Sequence, residues 1–310
     1  HRDFGVENNI ERIDGGAGYN VIQGSSSSNR LDFSSTTLNG IAEIRGGRGN
    51  DTITGTGADD VIVGGDGWDR LYGGDGNDTF KISLGDDFDD IHGGEGNDRI
   101  LGSEGGDIIG LHRDFGAGNG IELIDGGAGY NVIQGSSSSN HLDFSSTTLS
   151  GVDEIRGGKG NDTITGSGGD DVIVGGDGWD RLYGGAGNDT YLFQHGHDRD
   201  VIRDSSGEAD QLILLDADHD QAWFSRNGDD LIVSVIGAND QVRIDEWFSS
   251  PSDRLEWIRS ADGMVLADTS VEQLVSAMAA FNPSQAGISD GTVQVTESLR
   301  LEITAAWQAS

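Results

Sequence analysis

The stretch 64–80, GGDGWDRLYGGDGNDTF, holds two nine-residue repeats in succession, each GGxGxD followed by three residues with an apolar one in the middle. It returns over 175–191 with only Asp75 replaced by Ala186 and Phe80 by Tyr191. A glycine turn, a carboxylate and an apolar residue recurring every nine positions describe a metal turn stacked on a core strand, a period that few architectures accept. The glycines permit a tight, positive-φ turn and leave its carbonyls unobstructed, while the last three residues form a short strand whose central side chain points inward. Two repeats complete one coil, so turns i and i+2 lie one above the other at about the 4.8 Å strand spacing and can share an ion.

The phase persists well beyond this stretch. Asp51, Asp60, Asp69 and Asp78 are nine apart, as are Asp162, Asp171, Asp180 and Asp189, and the apolar partners Ile53, Ile62, Leu71 and Phe80, then Ile164, Ile173, Leu182 and Tyr191, keep step. After an insertion at Ile82 and Ser83, weaker repeats place Asp89, Asp98 and Asp107 at the same phase. The second and fourth turn positions are Gly47 and Gly49, Gly65 and Gly67, Gly74 and Gly76, and Gly94 and Gly96. Their later counterparts are Gly158 and Gly160, Gly176 and Gly178, and Gly185 and Gly187. These glycine carbonyls and the eleven aspartates are the expected metal ligands. GGAGYNVIQ, at Gly15 and Gly126, carries Asn20 and Asn131 in place of the carboxylate, so a structural role is expected there. Over 23–44, serines, threonines and spaced apolar residues suggest longer coils of the same solenoid held by packing. An offset of 111 superposes residues 1–79 on 112–190 with 67 of 79 positions identical, a tandem duplication.

Only oxygen ligands are on offer, about six to a site, and that donor set selects Ca2+ over Mg2+, which prefers a small octahedron and keeps its waters. Acidic residues outnumber basic ones 54 to 19, a net charge of −35. Nucleic acid and anionic membrane surfaces are therefore poor partners, and a compact state with that charge repels itself unless counterions bind. There is no cysteine, hence no disulfide or thiolate zinc site. No apolar run reaches membrane-spanning length. The start at His1 in mid-pattern suggests a carboxyl-terminal piece of something longer.

After Tyr191 the glycine period stops. Strands are predicted over 211–215, 221–226, 230–236 and 241–248, hairpins at Asn227-Gly228 and Asp262-Gly263, and a short helix over 271–281 with Ser270 as N-cap and Gln273 completing a capping box. This region is expected to cap the solenoid. The polar stretch from 282 onward, with Val293, Val295, Leu299, Leu301 and Ile303, is assigned to neither helix nor strand and reads as a loose tail. The expected architecture is all-β: a parallel β-roll in two tandem copies with a β-rich cap carrying a short helix. Its divisions are 1–110 and 111–192 for the two copies, 193–281 for the cap and 282–310 for the tail.

The nonapeptides, with GGRGNDTIT and GGKGNDTIT among the best, resemble the calcium-binding repeats of the repeats-in-toxin (RTX) family. The stretch 191–281, with DTYLFQHGHDRDVI and AWFSRNGDDLIVSVIGANDQVRIDEWF, is similar to the haemolysin-type calcium-binding related region. The resemblance implies a module unfolded at low calcium, exported by type I secretion machinery led by an uncleaved signal in the terminal tail, and folded outside the cell on binding several Ca2+ ions. Turns shared between neighbours imply about 8 to 12 ions. No catalytic arrangement stands out from the repeat background, so the chain is expected to be non-enzymatic. HRDFG at residues 1 and 112 runs two kinase signatures together and is a coincidence. His195, His197 and Asp198 fall in an ordinary glycine-acid turn. Trp68 and Trp179 occupy turn positions from which they could stack on a cell-surface glycan, which makes a polysaccharide-binding or adhesin module the alternative function.

Overall fold

One inward apolar side chain per three-residue strand is what the structure contains. Described here from a computed structural model are residues 3–82, 87–112, 114–280 and 297–309. The chain forms two compact units, His1–Ser136 with His141–Ile155, and Ser137–Asn140 with Arg156–Ser310.

In the first unit, Arg30–Asp32, Thr52–Thr54, Arg70–Asp75, Phe88–Glu95, Ile108–Leu111 and Val132–Gly135 follow one another as a parallel ladder. A second parallel ladder runs through Val21–Gln23, Glu43–Arg48, Val61–Asp66, Thr79–Lys81, Arg99–Leu101, Leu123–Asp125 and Thr148–Ser150. Register follows the repeat. Ile44 pairs with Ile62 and Ile53 with Leu71, each eighteen positions apart. The insertion after Phe80 stretches the next coil, so that Leu71 pairs with Ile91 and Phe80 with Ile100, twenty apart. The core takes one side chain from each strand, Ile53, Leu71, Ile91 and Ile109 from the first ladder and Ile62, Phe80 and Ile100 from the second, none more than 1% exposed. The serine-rich stretch supplies the strands Arg30–Asp32 and Thr37–Asn39, with Phe33 buried beside them.

The second unit repeats the pattern, with Ile164 opposite Leu182 and Ile173 opposite Tyr191. Its coils then lengthen by whole insertions. Gln241–Ile244 lies parallel to Arg199–Ile202, forty-two positions earlier, while the hairpin Ala222–Asn227 and Asp230–Val235 turns antiparallel at its edge. Trp257–Arg259 lies parallel to Gln211–Leu214 and antiparallel to Met264–Ala267. Both hairpin turns fall where they are expected, at Gly228 and Gly263, which have φ of 66° and 81°.

Two expectations need correction. The cap helix is Asp268–Ala279 rather than 271–281, because Met264–Ala267 runs directly into it. Ala267 takes the N-cap position without a side-chain bond, and Asp268 puts its charge on the helix N-terminus. The tail is not loose throughout: Glu297–Ala306 is a helix that buries Leu299 and Ile303, one turn apart, and Trp307 follows them inside against Phe224. Val293 and Val295 lie outside the described residues.

Candidate metal centre

Each strand ends at a turn, and the turns stack because the strands do. All fourteen glycines expected at the second and fourth turn positions have φ between 97° and 142°. At Gly67 an added Cβ would also lie 2.5 Å from the Gly49 carbonyl oxygen, so bare glycine both sets the turn and lets its neighbour's carbonyl approach.

The aspartates form columns. In the first unit the backbone N–H of Asn29 donates to Asp51 Oδ1, that of Asp51 to Asp69 Oδ1 and that of Asp69 to Asp89 Oδ1, at 2.6, 2.7 and 2.9 Å. A parallel column runs from Asp60 through Asp78 and Asp98 to Glu122, and a third from Asp107 through Asn131 to Asp153. In the second unit the columns are Asn140, Asp162, Asp180, Asp200 and Asp171, Asp189, Asp210, Glu256. Within each column, every carboxylate after the first member thus has one oxygen committed to the coil next to it.

The other oxygen decides the chemistry. Oδ2 of Asp51, Asp78, Asp98, Asp162, Asp180, Asp189 and Asp200 is buried and accepts no hydrogen bond. A buried carboxylate left so costs several kcal/mol, of order the desolvation of a charge, unless a cation meets it. Glu43 shows the ordinary solution: it is equally buried, but it accepts from Lys81 Nζ and Arg45 Nε at 2.7 Å each. Without a cation, burial pushes Asp51 and Asp162 up to about 6, and Asp78, Asp180 and Asp189 up to about 7, against the lowering effect of the backbone N–H. Burial first, and then the charge of Asp180 beside it, pushes Asp200 up to about 9. Unobstructed glycine carbonyls and unpaired carboxylate oxygens, all hard donors, fit Ca2+.

The expected aspartates fall into two kinds. Asp60, Asp107 and Asp171 lie in turns whose second position is Thr56, Ser103 or Ser167, none of which adopts positive φ. There the backbone N–H of that residue donates to Oδ2 at 2.6 Å and its hydroxyl reaches the same carboxylate at 2.9 to 3.0 Å. These turns are closed by their own donors. In the asparagine turns, Asn20 Nδ2 donates to the Gly40 carbonyl at 2.9 Å and Asn131 Nδ2 to that of Gly151 at 2.7 Å, so an amide hydrogen takes the place a cation has elsewhere.

Asp200, Asp210, Glu122, Asp153 and Glu256 belong to the columns but were not among the expected ligands. Asp200 and Asp210 stand twenty and twenty-one positions after Asp180 and Asp189, close to the step that separates Asp98 from Asp78, and that spacing was the available signal. His195 Nδ1 is held by Asp240 Oδ2 at 2.6 Å, and His197 is buried edge-on to Phe193. Trp68 and Trp179 are 51% and 59% exposed; His112 lies 4.7 Å from the first ring and the Arg199 guanidinium 5.8 Å from the second. Among the described residues no helix is long and apolar enough to cross a membrane.

The model of the RTX calcium-binding nonapeptide repeat matches residues 7–35, 45–80, 82–110, 116–146, 147–178 and 156–191. That of the haemolysin-type calcium binding protein related domain matches 230–270. Among solved structures, the extracellular lipase LipA from Serratia marcescens is similar at 20% identity and a TM-score of 0.28, over 70% of this chain and 42% of that one, so the chain spans less than half of that lipase. Glycine turns at positive φ, stacked aspartates with an oxygen to spare and a family match over more than half of the residues converge: this chain belongs to the RTX calcium-binding repeat family, and it binds multiple Ca2+ ions.

Proposed function

We propose that the chain is a calcium-triggered folding module of a larger exported protein, passed unfolded through type I secretion machinery and folded outside the cell, and that it is not itself a catalyst. The observation that carries this reading is the set of buried Asp Oδ2 atoms that meet no donor in a chain of net charge −35. A core that takes one side chain from each short strand gives little to set against that repulsion, so ion binding supplies the folding free energy. At low calcium the carboxylates hold the chain open, a state fit for threading, and the absence of cysteine leaves no covalent cross-link to hinder it. Within this reading the open turns, whose glycines take positive φ, at Asp51, Asp69, Asp78, Asp98, Asp162, Asp180 and Asp189, carry the ions, and the turn before Asp89 lies partly outside the described residues. The closed turns at Asp60, Asp107 and Asp171 contribute backbone carbonyls at most. The stretch 282–310, whose described part includes the helix Glu297–Ala306, is the candidate export signal. The glycan-binding alternative would use Trp68 and Trp179, but each ring already has an intramolecular partner across it.

Circular dichroism tests the folding half. The chain in excess chelator should give a disordered spectrum, and added Ca2+ should restore the β signal cooperatively; a chain fully β-rich in chelator would overturn the proposal. The export half is tested by co-expressing the chain with a type I exporter, with and without residues 282–310. Equal release of both forms would assign the signal elsewhere.

A further inference from the structure

Tyr191 stands where the first copy has Phe80, and the hydroxyl it adds has a partner. It donates to Asp204 Oδ2 at 2.7 Å inside the second unit, where Tyr191 and Asp204 are each 1% exposed. Asp204 lies two residues beyond the Leu182 to Ile202 pair of the parallel ladder, which puts it across from Gly184. At the corresponding place the first copy has Gly93, across from Gly73 by the Gly74 to Gly94 pairing. The two copies therefore differ by two linked changes, phenylalanine to tyrosine and glycine to aspartate, and the new hydroxyl and the new carboxylate bond to each other.

The carboxylates that converge here are Asp189, Asp204 and Asp210, each offering an oxygen within 4.8 Å of the others, and all three residues are buried. Among the described residues none of the three forms an ion pair with a basic side chain. Asp210 Oδ1 accepts the Asp189 backbone N–H at 2.8 Å, and the Asp210 backbone N–H donates to Glu256 Oε2 at 2.7 Å. Asp189 itself is 0% exposed, and its Oδ2 has no hydrogen-bond partner. That oxygen points into the space left by the missing side chain of Gly184, where an added Cβ would also lie 2.6 Å from the Tyr191 hydroxyl oxygen. An unpartnered, fully buried carboxylate oxygen thus faces the same small space as the Tyr191–Asp204 pair.

We propose that Asp189, Asp204 and Asp210 form a further divalent-cation site, for which Ca2+ is the fitting ion, at the far end of the second unit's repeat array. Asp204 and Asp210 lie outside the residues matched by either family model, and Asp204 occupies a position that the repeat gives to glycine. Three carboxylates in place of the two that stacked repeat turns bring together raise the negative charge around the ion and hence its affinity. Tyr191 is a positioning residue: its hydroxyl fixes Oδ2 of Asp204 while Oδ1 accepts the Ser206 backbone N–H at 3.4 Å, so the ion shares the carboxylate with these two donors. Through Glu256 the site also joins the last glycine turns to the capping strands. It stands apart from the export reading, because it concerns one ion of many and does not require the chain to be secreted.

The test is Ca2+ stoichiometry by equilibrium dialysis with elemental analysis on the full chain, comparing wild type with Asp204→Asn and Tyr191→Phe. Asp204→Asn should bind one Ca2+ fewer while calcium still restores the β signal. Tyr191→Phe should keep the count but weaken the tightest class of ions. An unchanged count and isotherm for Asp204→Asn would overturn the site and leave the Tyr191–Asp204 contact as a packing tie. Should Asp204→Asn fail to fold, anomalous diffraction from the Tb3+-loaded wild-type chain decides. A peak bounded by the three carboxylates supports the site, and peaks in the repeat turns with none here reject it.

Discussion

Gly178→Ala is expected to raise the Ca2+ concentration that half-folds the second unit by about tenfold to a hundredfold, whereas Gly168→Ala in the preceding turn is expected to shift it by about twofold at most. Gly178 has φ of 136°, a region costing about 1 to 3 kcal/mol for a residue with a side chain, and an added Cβ would lie 2.7 Å from the Gly160 carbonyl carbon. The substitution strains its own turn and displaces a carbonyl of the turn stacked on it, so two sets of oxygen ligands move. Gly168 belongs to a turn closed by Ser167, lacks positive φ, and has nothing within 4 Å of an added Cβ. Calcium titrations followed by circular dichroism measure both midpoints. Equal effects at the two positions would mean that the open and closed turns do not differ in calcium binding.

The same contrast marks how far the sequence could be read. The inward side chains from Ile53 to Ile109 and the eighteen-residue register follow from local spacing, because each coil repeats the one before it and only nearest neighbours pair. The distinction between open and closed turns was also present in principle: Thr56 is β-branched at a place where the good repeats demand positive φ, and its hydroxyl can close the turn instead. Counting aspartates by phase treats Asp60 and Asp78 alike, although one has its second oxygen bonded and the other does not. The far ends of the columns were harder to read. Glu256 meets Asp210 across a forty-six-residue coil with a hairpin and other elements inserted in it, and no local period carries across such an insertion. Helix Glu297–Ala306 escaped notice for another reason: Leu299 and Ile303 are only one apolar pair in a short polar segment, and their burial is set by tertiary packing.

In chelator, lowering the pH from about 8 to about 5 is expected to increase the β signal. This follows from the buried aspartates. Asp78, Asp180 and Asp189 are pushed up to about 7 in the folded chain, chiefly by burial, from an ordinary value of 3.8. Below about 3.8 these groups are protonated in both states and contribute no difference. Between that pH and about 7 the unfolded chain ionises while the folded one keeps its protons, so the fold is increasingly penalised as pH rises, and above 7 the penalty is fully present. Acidification therefore relieves the metal-free fold of the charge that opposes it. Calcium needs the ionised form, so below about 7 binding to the already folded chain displaces protons and weakens by about tenfold per pH unit for each of them, whereas folding with calcium from the ionised open chain displaces none. Protons and Ca2+ thus compete for the same oxygens while both favour the coil over the open chain. Spectra recorded at several protein concentrations separate acid folding from association near the isoelectric point of about 4.1. A chelated chain that stays disordered down to pH 5 would show that these carboxylates are not what holds the apo chain unfolded.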